Sequence, residues 1–456
     1  MTPLRPADDP ENAVTASPGA PTPAARLQGS ARDARVWLLF VVVHAWQTYL
    51  ALGPQAPAYT DVDLYRWWVQ TGLDFGQWPV LDGPWVYPAG ALLPVLVPAV
   101  VSTTSTAAYV AGWCAFVTLL DAVAVALLLR HRAGHAAAVW WLAFLLLLGP
   151  AAMGRLDGVV APITIAALLV ALTHPRTSAL LVTVGAWIKI APGAAVIPLL
   201  MASRRPWRDV VEPAVLVCAI VVGTVVALGG GAHLLSFILT QDARDLQIES
   251  VAATPWIVAA MWTPTILREY DTQIFTFEVH GPGTRATADV LGALLPVAVL
   301  AAAALLWWCR RRAGERFWSD DALRSDFVVR GTFVLTLLLI ITNKVGSPQF
   351  VAWLAPSVAV GLALGAARWR GTAVLLLAVA AATQAIYPWW YAQMVNAELL
   401  MTLVLVARNV ALIVLLVMAV RHLVRAAAPP PAAGEDPAAD EPSGAVRGEP
   451  GEEVRA

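Results

Sequence analysis

The sequence predicts an all-α membrane protein that crosses the bilayer many times, and three observations indicate this class. Apolar residues make up 59% of the chain and charged residues 13%, against roughly 25% charged residues in a typical soluble domain. Apolar runs recur along the sequence between short turns. Lys and Arg collect at alternate turns, as expected for the cytoplasmic side of a membrane protein. The formal net charge of −1 implies no bulk electrostatic partner, and we expect no nucleic acid to bind.

The two ends of the chain differ in composition from the rest. Residues 1–35 are rich in Ala, Pro, Thr and Asp and contain no apolar core of a signal peptide. Residues 426–456 are rich in Pro, Ala, Glu and Gly. We expect both segments to be disordered cytoplasmic tails on either side of a transmembrane unit, residues 36–425. The three cysteines lie far apart in apolar runs and form no metal-binding or redox pattern.

The positions of the basic turns predict the topology. Arg26, Arg32 and Arg35 precede the first apolar span, so the N-terminus lies in the cytoplasm and the following loop lies outside. Residues 88–101 are too short for an ordinary crossing and contain two prolines, and the span after them ends at another basic cluster. We therefore expect an interfacial or re-entrant helix in the first outer loop. Continued along the chain, this reasoning gives about twelve crossings with both termini inside.

Two short apolar segments in the middle of the chain predict a helical hairpin. Residues 178–188 and 191–202 both have basic flanks, which places both outer ends of the pair in the cytoplasm. Lys189 lies at the tip of the hairpin, in the outer half of the membrane. Irregular backbone at that depth is tolerated only where it is buried in protein or lines a water-filled cavity.

A small set of charged residues remains for the outer face, and their loops are expected to converge there. They are Asp61, Asp63, Asp82, Arg155, Asp157, Lys189, Arg244, Asp245, Glu249, His280 and Lys344. This pattern favours a site that faces the periplasm and receives a lipid-linked anionic substrate. Plainer interpretations stay open. Asp61 and Asp63 can belong to a solvated loop, and Lys189 and Lys344 can be anchors at the membrane interface. Inside a span, Asp121 is expected to make a helix–helix ion pair or hydrogen bond.

Four stretches of the chain carry a resemblance to a known family. They are Asp61-Val62-Asp63-Leu64-Tyr65 with Tyr87-Pro88 downstream, Ile188-Lys189-Ile190-Ala191-Pro192, Leu246-Gln247-Ile248-Glu249-Ser250, and Lys344-Val345-Gly346-Ser347-Pro348-Gln349-Phe350. In this order the chain resembles the GT-C superfamily of polytopic glycosyltransferases. Within it, the chain resembles the polyprenol-phosphate-mannose-dependent α-mannosyltransferases of actinobacteria, a family that includes an arabinofuranosyltransferase branch.

The resemblance implies a GT-C-type fold, a reaction and a catalytic residue. The reaction is transfer of a sugar, with mannose favoured over arabinose, from a polyprenyl-phosphate donor to a glycolipid or glycan acceptor at the outer face of the cytoplasmic membrane. In the family, the aspartate four residues before the tyrosine is catalytic, and here that residue is Asp61. We expect Asp61 to be the general base of an inverting displacement, supported by Asp63, Tyr65 and Glu249.

The remaining site residues follow from what the reaction needs. The leaving phosphate gains charge and requires cations, for which Lys189, Lys344 and Arg155 are the candidates. Contacts to the sugar or the acceptor are expected from Asp157, Gln247, Gln349, Trp85 and Tyr87. The tryptophans near the outer boundary either form an interfacial belt or stack on the sugar. Where the family often carries Gln and Asn, this chain has Arg155 and Asp157, so the resemblance leaves the sugar and the acceptor open.

Two further expectations concern cofactors and the alternative class. We expect no cofactor and no metal, because fixed cations can replace a metal at the phosphate, although an Asp-x-Asp pair can also hold a divalent ion. The alternative class is a transporter or flippase for lipid or polysaccharide precursors, which also uses broken helices and intramembrane charges. Against it stand the lack of an obvious internal repeat in the sequence and the long, carboxylate-bearing first outer loop.

Overall fold

The computed structural model of the protein describes residues 23–242, 244–272, 275–365 and 367–428. Of the two predicted tails, residues 1–22 and 429–456 lie outside the described residues. The first helix begins at Pro23 and so includes the last part of the segment that was expected to be an N-terminal tail.

The described chain is helical almost throughout. Its α-helices are α1 (Pro23–Leu52), α2 (Thr60–Phe75), α3 (Leu92–Leu96), α4 (Thr106–Leu129), α5 (Gly134–Leu148), α6 (Pro150–Met153), α7 (Asp157–Leu169), α8 (Pro175–Ile188), α9 (Val196–Ala202), α10 (Glu212–Ala227), α11 (Ser236–Asp242), α12 (Thr254–Ala259), α13 (Thr284–Ala313), α14 (Arg316–Ser319), α15 (Asp321–Ile341), α16 (Ala355–Ala363), α17 (Arg370–Gln384), α18 (Tyr391–Val395) and α19 (Leu399–Ala426). Short 3-10 helices are Ala56–Tyr59, Ala89–Ala91, Val97–Val100, Ala191–Ala195, Gly230–His233, Pro348–Trp353 and Ala367–Trp369, and π-helical turns are Trp207–Val211 and Ala385–Trp389.

Several helices have the length and composition of membrane spans. Among the residues that the structure describes, six helices are long and apolar enough to cross a bilayer, by length and composition: Ala31–Leu52, Thr106–Leu129, Trp207–Ala227, Thr284–Ala313, Arg370–Trp389 and Leu399–Ala426. Shorter apolar helices of 10–17 residues lie between them. These helices confirm an all-α polytopic membrane protein, and the total of about twelve crossings stays a prediction.

Small side chains let the central helices approach closely. Helix α16 packs against α5 and α7, and its buried residues include Ala355, Ser357, Ala359 and Gly361. Between membrane helices, such small residues allow backbones to come close enough for van der Waals contact. The predicted helix–helix contact of Asp121 is also present, because His44 Nε2 lies 3.2 Å from Asp121 Oδ2.

The predicted hairpin around Lys189 is present in the fold. Helix α8 ends at Ile188, and Lys189 has extended backbone angles that break the helix. A 3-10 turn and α9 then return along α8. The apolar helix Ala89–Val100 lies in the first long loop, where a short interfacial or re-entrant helix was expected. It packs against α8 and α4.

A small sheet in the second long loop was not expected from the sequence. Strands β1 (Leu267–Asp271) and β2 (Thr276–His280) pair antiparallel, with Glu269 opposite Glu278. Residues 246–248 lie along the other edge of β2, where Val279 N donates to Leu246 O at 2.9 Å and Ile248 N donates to Phe277 O at 3.2 Å. The sheet therefore anchors the loop that carries Gln247 and Glu249.

Candidate active site

Asp61 lies in the first turn of α2, directly after a 3-10 turn that continues into the helix. A carboxylate at this position is favoured by the unpaired N–H groups of the helix N-terminus. Its Oδ2 lies 2.7 Å from Arg155 Nε, and the Asp61 side chain keeps 31% of its surface exposed. The Asp61 carboxylate thus meets a cation at one oxygen, while part of its side chain stays accessible.

Arg155 is held rigidly by contacts from three parts of the chain. Its Nη1 donates to the carbonyl oxygens of Ala58 and Gly154 at 2.9 Å each, and its Nη2 donates to the Tyr387 hydroxyl at 3.1 Å. Burial lowers the pKa of Arg155, but Asp61 and Tyr387 oppose it and raise the pKa above its ordinary value. The guanidinium therefore stays charged and fixes one oxygen of Asp61. Within the described chain, Arg155 is the hydrogen-bonding or ionic partner of the Asp61 carboxylate, so the second oxygen is available.

Asp63 has a different environment. Its Oδ1 accepts from Arg66 Nε and from Thr106 Oγ1, each at 2.7 Å. Burial works to raise the pKa of Asp63, but the hydrogen bonds from Arg66 and Thr106 lower it below its ordinary value. Because Thr106 opens α4, these bonds join the start of α2 to the start of α4. This geometry fits the expected supporting role of Asp63.

An aromatic cluster lies beside Asp61. Tyr65 is fully buried, and its hydroxyl lies 3.5 Å from the Tyr87 hydroxyl. Trp68 packs on Tyr65 and meets Tyr87 edge-on at 6.2 Å between ring centroids. Trp85 is buried behind Tyr87, with 5.5 Å between their ring centroids. Burial raises the pKa of both tyrosines, so both hydroxyls stay protonated and can donate.

Lys189 enters the same cluster from the hairpin tip. Its Nζ lies 4.7 Å from the centroid of the Tyr87 ring and 5.8 Å from that of Phe350. It also lies 3.8 Å from Asp157 Oδ2, while Asp157 Oδ1 accepts from Trp353 Nε1. The lysine is therefore held inside the protein by a buried carboxylate and two rings, which differs from an anchor that extends to the membrane interface.

The second group of expected site residues forms around Gln247. Its backbone N donates to Lys344 O at 3.0 Å, and its side-chain Oε1 accepts from Gly346 N at 2.9 Å. The two loops touch so closely that a Cβ on Gly346 would lie 2.3 Å from Ser250 N, so only glycine fits there. Lys344 is buried in this contact, and Gln349 lies half-buried in the following 3-10 helix, next to Phe350.

Glu249 belongs to this second group and is almost completely buried. Its Oε2 accepts from Gln247 Nε2 at 2.8 Å, and its backbone carbonyl accepts from Arg408 Nη2 in α19. Its Oε1 is buried without a hydrogen-bond partner among the residues that the structure describes. Burial raises the pKa of Glu249 to about 7, although Arg408 and the Gln247 hydrogen bond oppose this rise.

The comparison with known protein families now decides the broad class. Residues 85–324, just over half of the chain, match Glycosyltransferase family 87. The chain belongs to this family. It is therefore a membrane glycosyltransferase, which confirms the resemblance at the level of the superfamily, whereas the mannosyltransferase or arabinofuranosyltransferase branch stays a prediction. No curated protein and no solved structure matches the chain.

The family 87 match covers only some of the expected site residues. Tyr87, Arg155 and Lys189 lie within it, as do Asp157, Gln247 and Glu249. Asp61 lies before residue 85 and Lys344 lies after residue 324, so the match does not reach them. Their place in the site depends on the geometry, in which Asp61 contacts Arg155 and the Lys344 backbone contacts Gln247.

Some residues of this family 87 glycosyltransferase site were missed in the sequence. Tyr387 binds Arg155, Trp353 binds Asp157, and Arg408 binds the loop of Glu249. The aromatic residues near Tyr387 could equally have formed an interfacial belt, so composition did not distinguish them. Arg408 did carry a signal, because an arginine within an apolar helix needs a polar partner.

Proposed function

We propose that the protein transfers a sugar, mannose in the first instance, from a polyprenyl-phosphate donor to a hydroxyl of a glycolipid or glycan acceptor. The site would face the outside of the cytoplasmic membrane. The observation that carries this proposal is the pairing of Asp61 with Arg155 at 2.7 Å, next to the aromatic cluster that holds Lys189. A base and a cation thus flank one aromatic-lined space.

The reaction would proceed as a single displacement at the sugar C1. The open oxygen of Asp61 accepts the proton of the acceptor hydroxyl, whose oxygen forms a bond to C1. The bond from C1 to the phosphate oxygen breaks, and the polyprenyl phosphate leaves with the bonding electrons. A β-linked donor then yields an α-linked product. Arg155 holds the other carboxylate oxygen and so prevents the carboxylate from rotating away.

Lys189 is the best placed of the three expected phosphate-binding cations. Arg155 already donates to two carbonyls, one hydroxyl and Asp61, and it has little capacity left. Lys189 Nζ lies 3.8 Å from Asp157, which is longer than a hydrogen bond and leaves the ammonium donors for an anion. Asp157 then acts as the residue that positions Lys189. Lys344 would approach from the loop that meets Gln247.

The aromatic residues would bind the sugar. Tyr87 and Trp68 are partly exposed, whereas Trp85 is buried behind them. Stacking of a sugar ring on the exposed faces would orient C1, and the protonated Tyr87 hydroxyl can donate to a sugar oxygen. Trp85 would support this surface from behind, and its backbone is held by Ser236.

The test is a transfer assay with purified full-length protein in lipid vesicles. Radiolabelled polyprenyl-phosphate mannose and polyprenyl-phosphate arabinose are supplied separately with a mixed glycolipid acceptor extract, and products are separated after lipid extraction. We expect labelled product from one donor, with transfer by Asp61→Asn reduced about 10²- to 10⁴-fold. Transfer from a nucleotide sugar alone would contradict the proposed donor. Movement of the labelled lipid across the vesicle membrane without any product would favour the transporter alternative.

A further inference from the structure

Three potential metal ligands come together on the small β-sheet. They are Asp245, Glu278 and His280, and one ligand atom from each lies within 4.8 Å of the others. Glu278 and His280 are two residues apart on β2, so both side chains lie on the same face of the strand. Asp245 is brought beside them by the hydrogen bonds that residues 246–248 make along β2.

Glu278 is the member of this cluster whose environment requires a partner. It is only 5% exposed. One carboxylate oxygen accepts from the Asp245 backbone N at 3.0 Å. In the described part of the chain, no Lys or Arg nitrogen lies within 4.0 Å of Glu278, and its other oxygen is not fully enclosed, so that an ion can reach it. A buried carboxylate in this state is costly unless a cation or further donors satisfy it.

The neighbouring charges increase this requirement. Asp245 and Asp271 add negative charge beside Glu278, while the Asp245 backbone N–H and His280 act in the opposite direction. Arg244 lies near enough to interact with Glu278, but beyond ion-pair distance. The local field is therefore negative around a group that is largely removed from water.

One competing interaction is weak. Arg285 Nη1 lies 2.6 Å from Asp245 Oδ1, but the Arg285 side chain is 63% exposed, and exposed ion pairs of this kind contribute little. The pair engages one oxygen of Asp245 and leaves the other for a ligand.

We propose that Asp245, Glu278 and His280 bind one divalent transition-metal ion of the Zn²⁺ or Mn²⁺ type. An imidazole nitrogen together with two carboxylate oxygens is a ligand set for these ions, whereas Mg²⁺ and Ca²⁺ prefer oxygen ligands alone. Bonds of about 2.0–2.2 Å to a central ion would draw the three ligand atoms inward by small side-chain rotations. The half-exposed positions of Asp245 and His280 give the ion access from solvent.

The metal would be structural and not a participant in sugar transfer. It would join β2 to the segment that begins at Asp245, and that segment continues directly into Gln247 and Glu249. The site is separate from the Asp61 and Asp63 pair, whose carboxylates are held by Arg155 and Arg66. It does not depend on the proposed sugar donor.

The test measures metal binding by the full-length protein in detergent, after EDTA treatment and its removal. ZnCl₂ and MnCl₂ are titrated by calorimetry, and Tm is followed in parallel, because an ion that binds the folded state raises Tm. We expect one ion per chain and a saturable rise in Tm. Loss of a ligand in Glu278→Gln or His280→Ala should weaken Kd by at least about tenfold. Asp245→Asn, at a half-exposed position, gives the same information if a buried variant fails to fold.

Glu269→Gln is the matched control, because Glu269 is exposed and lies opposite Glu278 on β1. It removes the same charge from the same sheet and should leave Kd within about twofold. An equal loss in this control would show general attraction to an acidic surface and overturn the proposal. Absence of binding at millimolar metal would overturn it as well, as would equally tight Mg²⁺ binding that His280→Ala does not change.

Discussion

Asp61 and Glu249 each meet an arginine from a distant part of the chain, and the two contacts differ. Asp61 pairs directly with Arg155 through its side chain and is 31% exposed. Glu249 is 1% exposed, and Arg408 donates to its backbone carbonyl. The first arrangement holds one carboxylate oxygen and leaves the other for a substrate. The second holds the loop in place and leaves the carboxyl close to protonation at neutral pH.

The largest effect is expected from Asp61→Asn. The amide has nearly the same shape but cannot accept the proton, so the transfer rate should fall about 10²- to 10⁴-fold at saturating donor. Asp63→Asn is the matched control: it removes the same charge two residues away, from a carboxylate already engaged by Arg66 and Thr106. It should reduce the rate less than about tenfold. An inactive Asp63→Asn together with an active Asp61→Asn would assign the base to the other aspartate.

Arg155→Met should have the next largest effect. It leaves the Asp61 carboxylate without the group that fixes its orientation, and loss of positioning of this kind reduces rates by on the order of 10²-fold. Tm should also fall, because the carbonyls of Ala58 and Gly154 lose their donor. Transfer rates and thermal melts on the same preparation check both effects. Arg155→Met with a wild-type rate would show that Asp61 needs no ion pair to act.

A smaller effect is expected from changing Lys189. Its ammonium lies 3.8 Å from Asp157 and beside the rings of Tyr87 and Phe350. Lys189→Met removes a charged donor from the proposed phosphate site, so the donor KM should rise roughly tenfold or more. Lys344→Met should act in the same direction if the two loops meet around the phosphate. The measurement is KM for the donor at fixed acceptor, with folding checked by gel filtration. Unchanged donor KM in both variants would favour membrane anchoring over phosphate binding.

The smallest effect is expected on thermal stability and concerns the buried carboxyl of Glu249. Burial raises the pKa of Glu249 from 4.5 to about 7. The stabilisation from its neutral form is fully present below pH 4.5 and is lost as pH rises through about 7. Relative to Glu249→Gln, which stays neutral, wild-type Tm should therefore decline across this range. Glu398→Gln, an exposed control, should retain the wild-type pH dependence. Parallel curves for wild type and Glu249→Gln would show that Glu249 does not titrate in this window.

Some elements could be predicted because their causes are local. The hairpin around Lys189 follows from two short apolar segments, a proline and basic flanks, and the structure contains it. The β-hairpin was missed because its five-residue strands include Arg, Glu and Asp, which give a weak strand pattern. Its pairing with residues 246–248 depends on a segment from another part of the chain.

The sequence by itself determined the membrane class, the hairpin and which charged residues lie outside the long apolar spans, since hydropathy and basic turns act over short stretches. Only the tertiary structure decided which charges meet. Arg155 and Lys189 were equivalent candidates as cations, yet Arg155 contacts Asp61 and Lys189 contacts Asp157. The same applies to Tyr387, Trp353 and Arg408, which act on residues far away in sequence. The physical reason is that each pairing depends on how separate helices pack, and local sequence patterns carry no information about that packing.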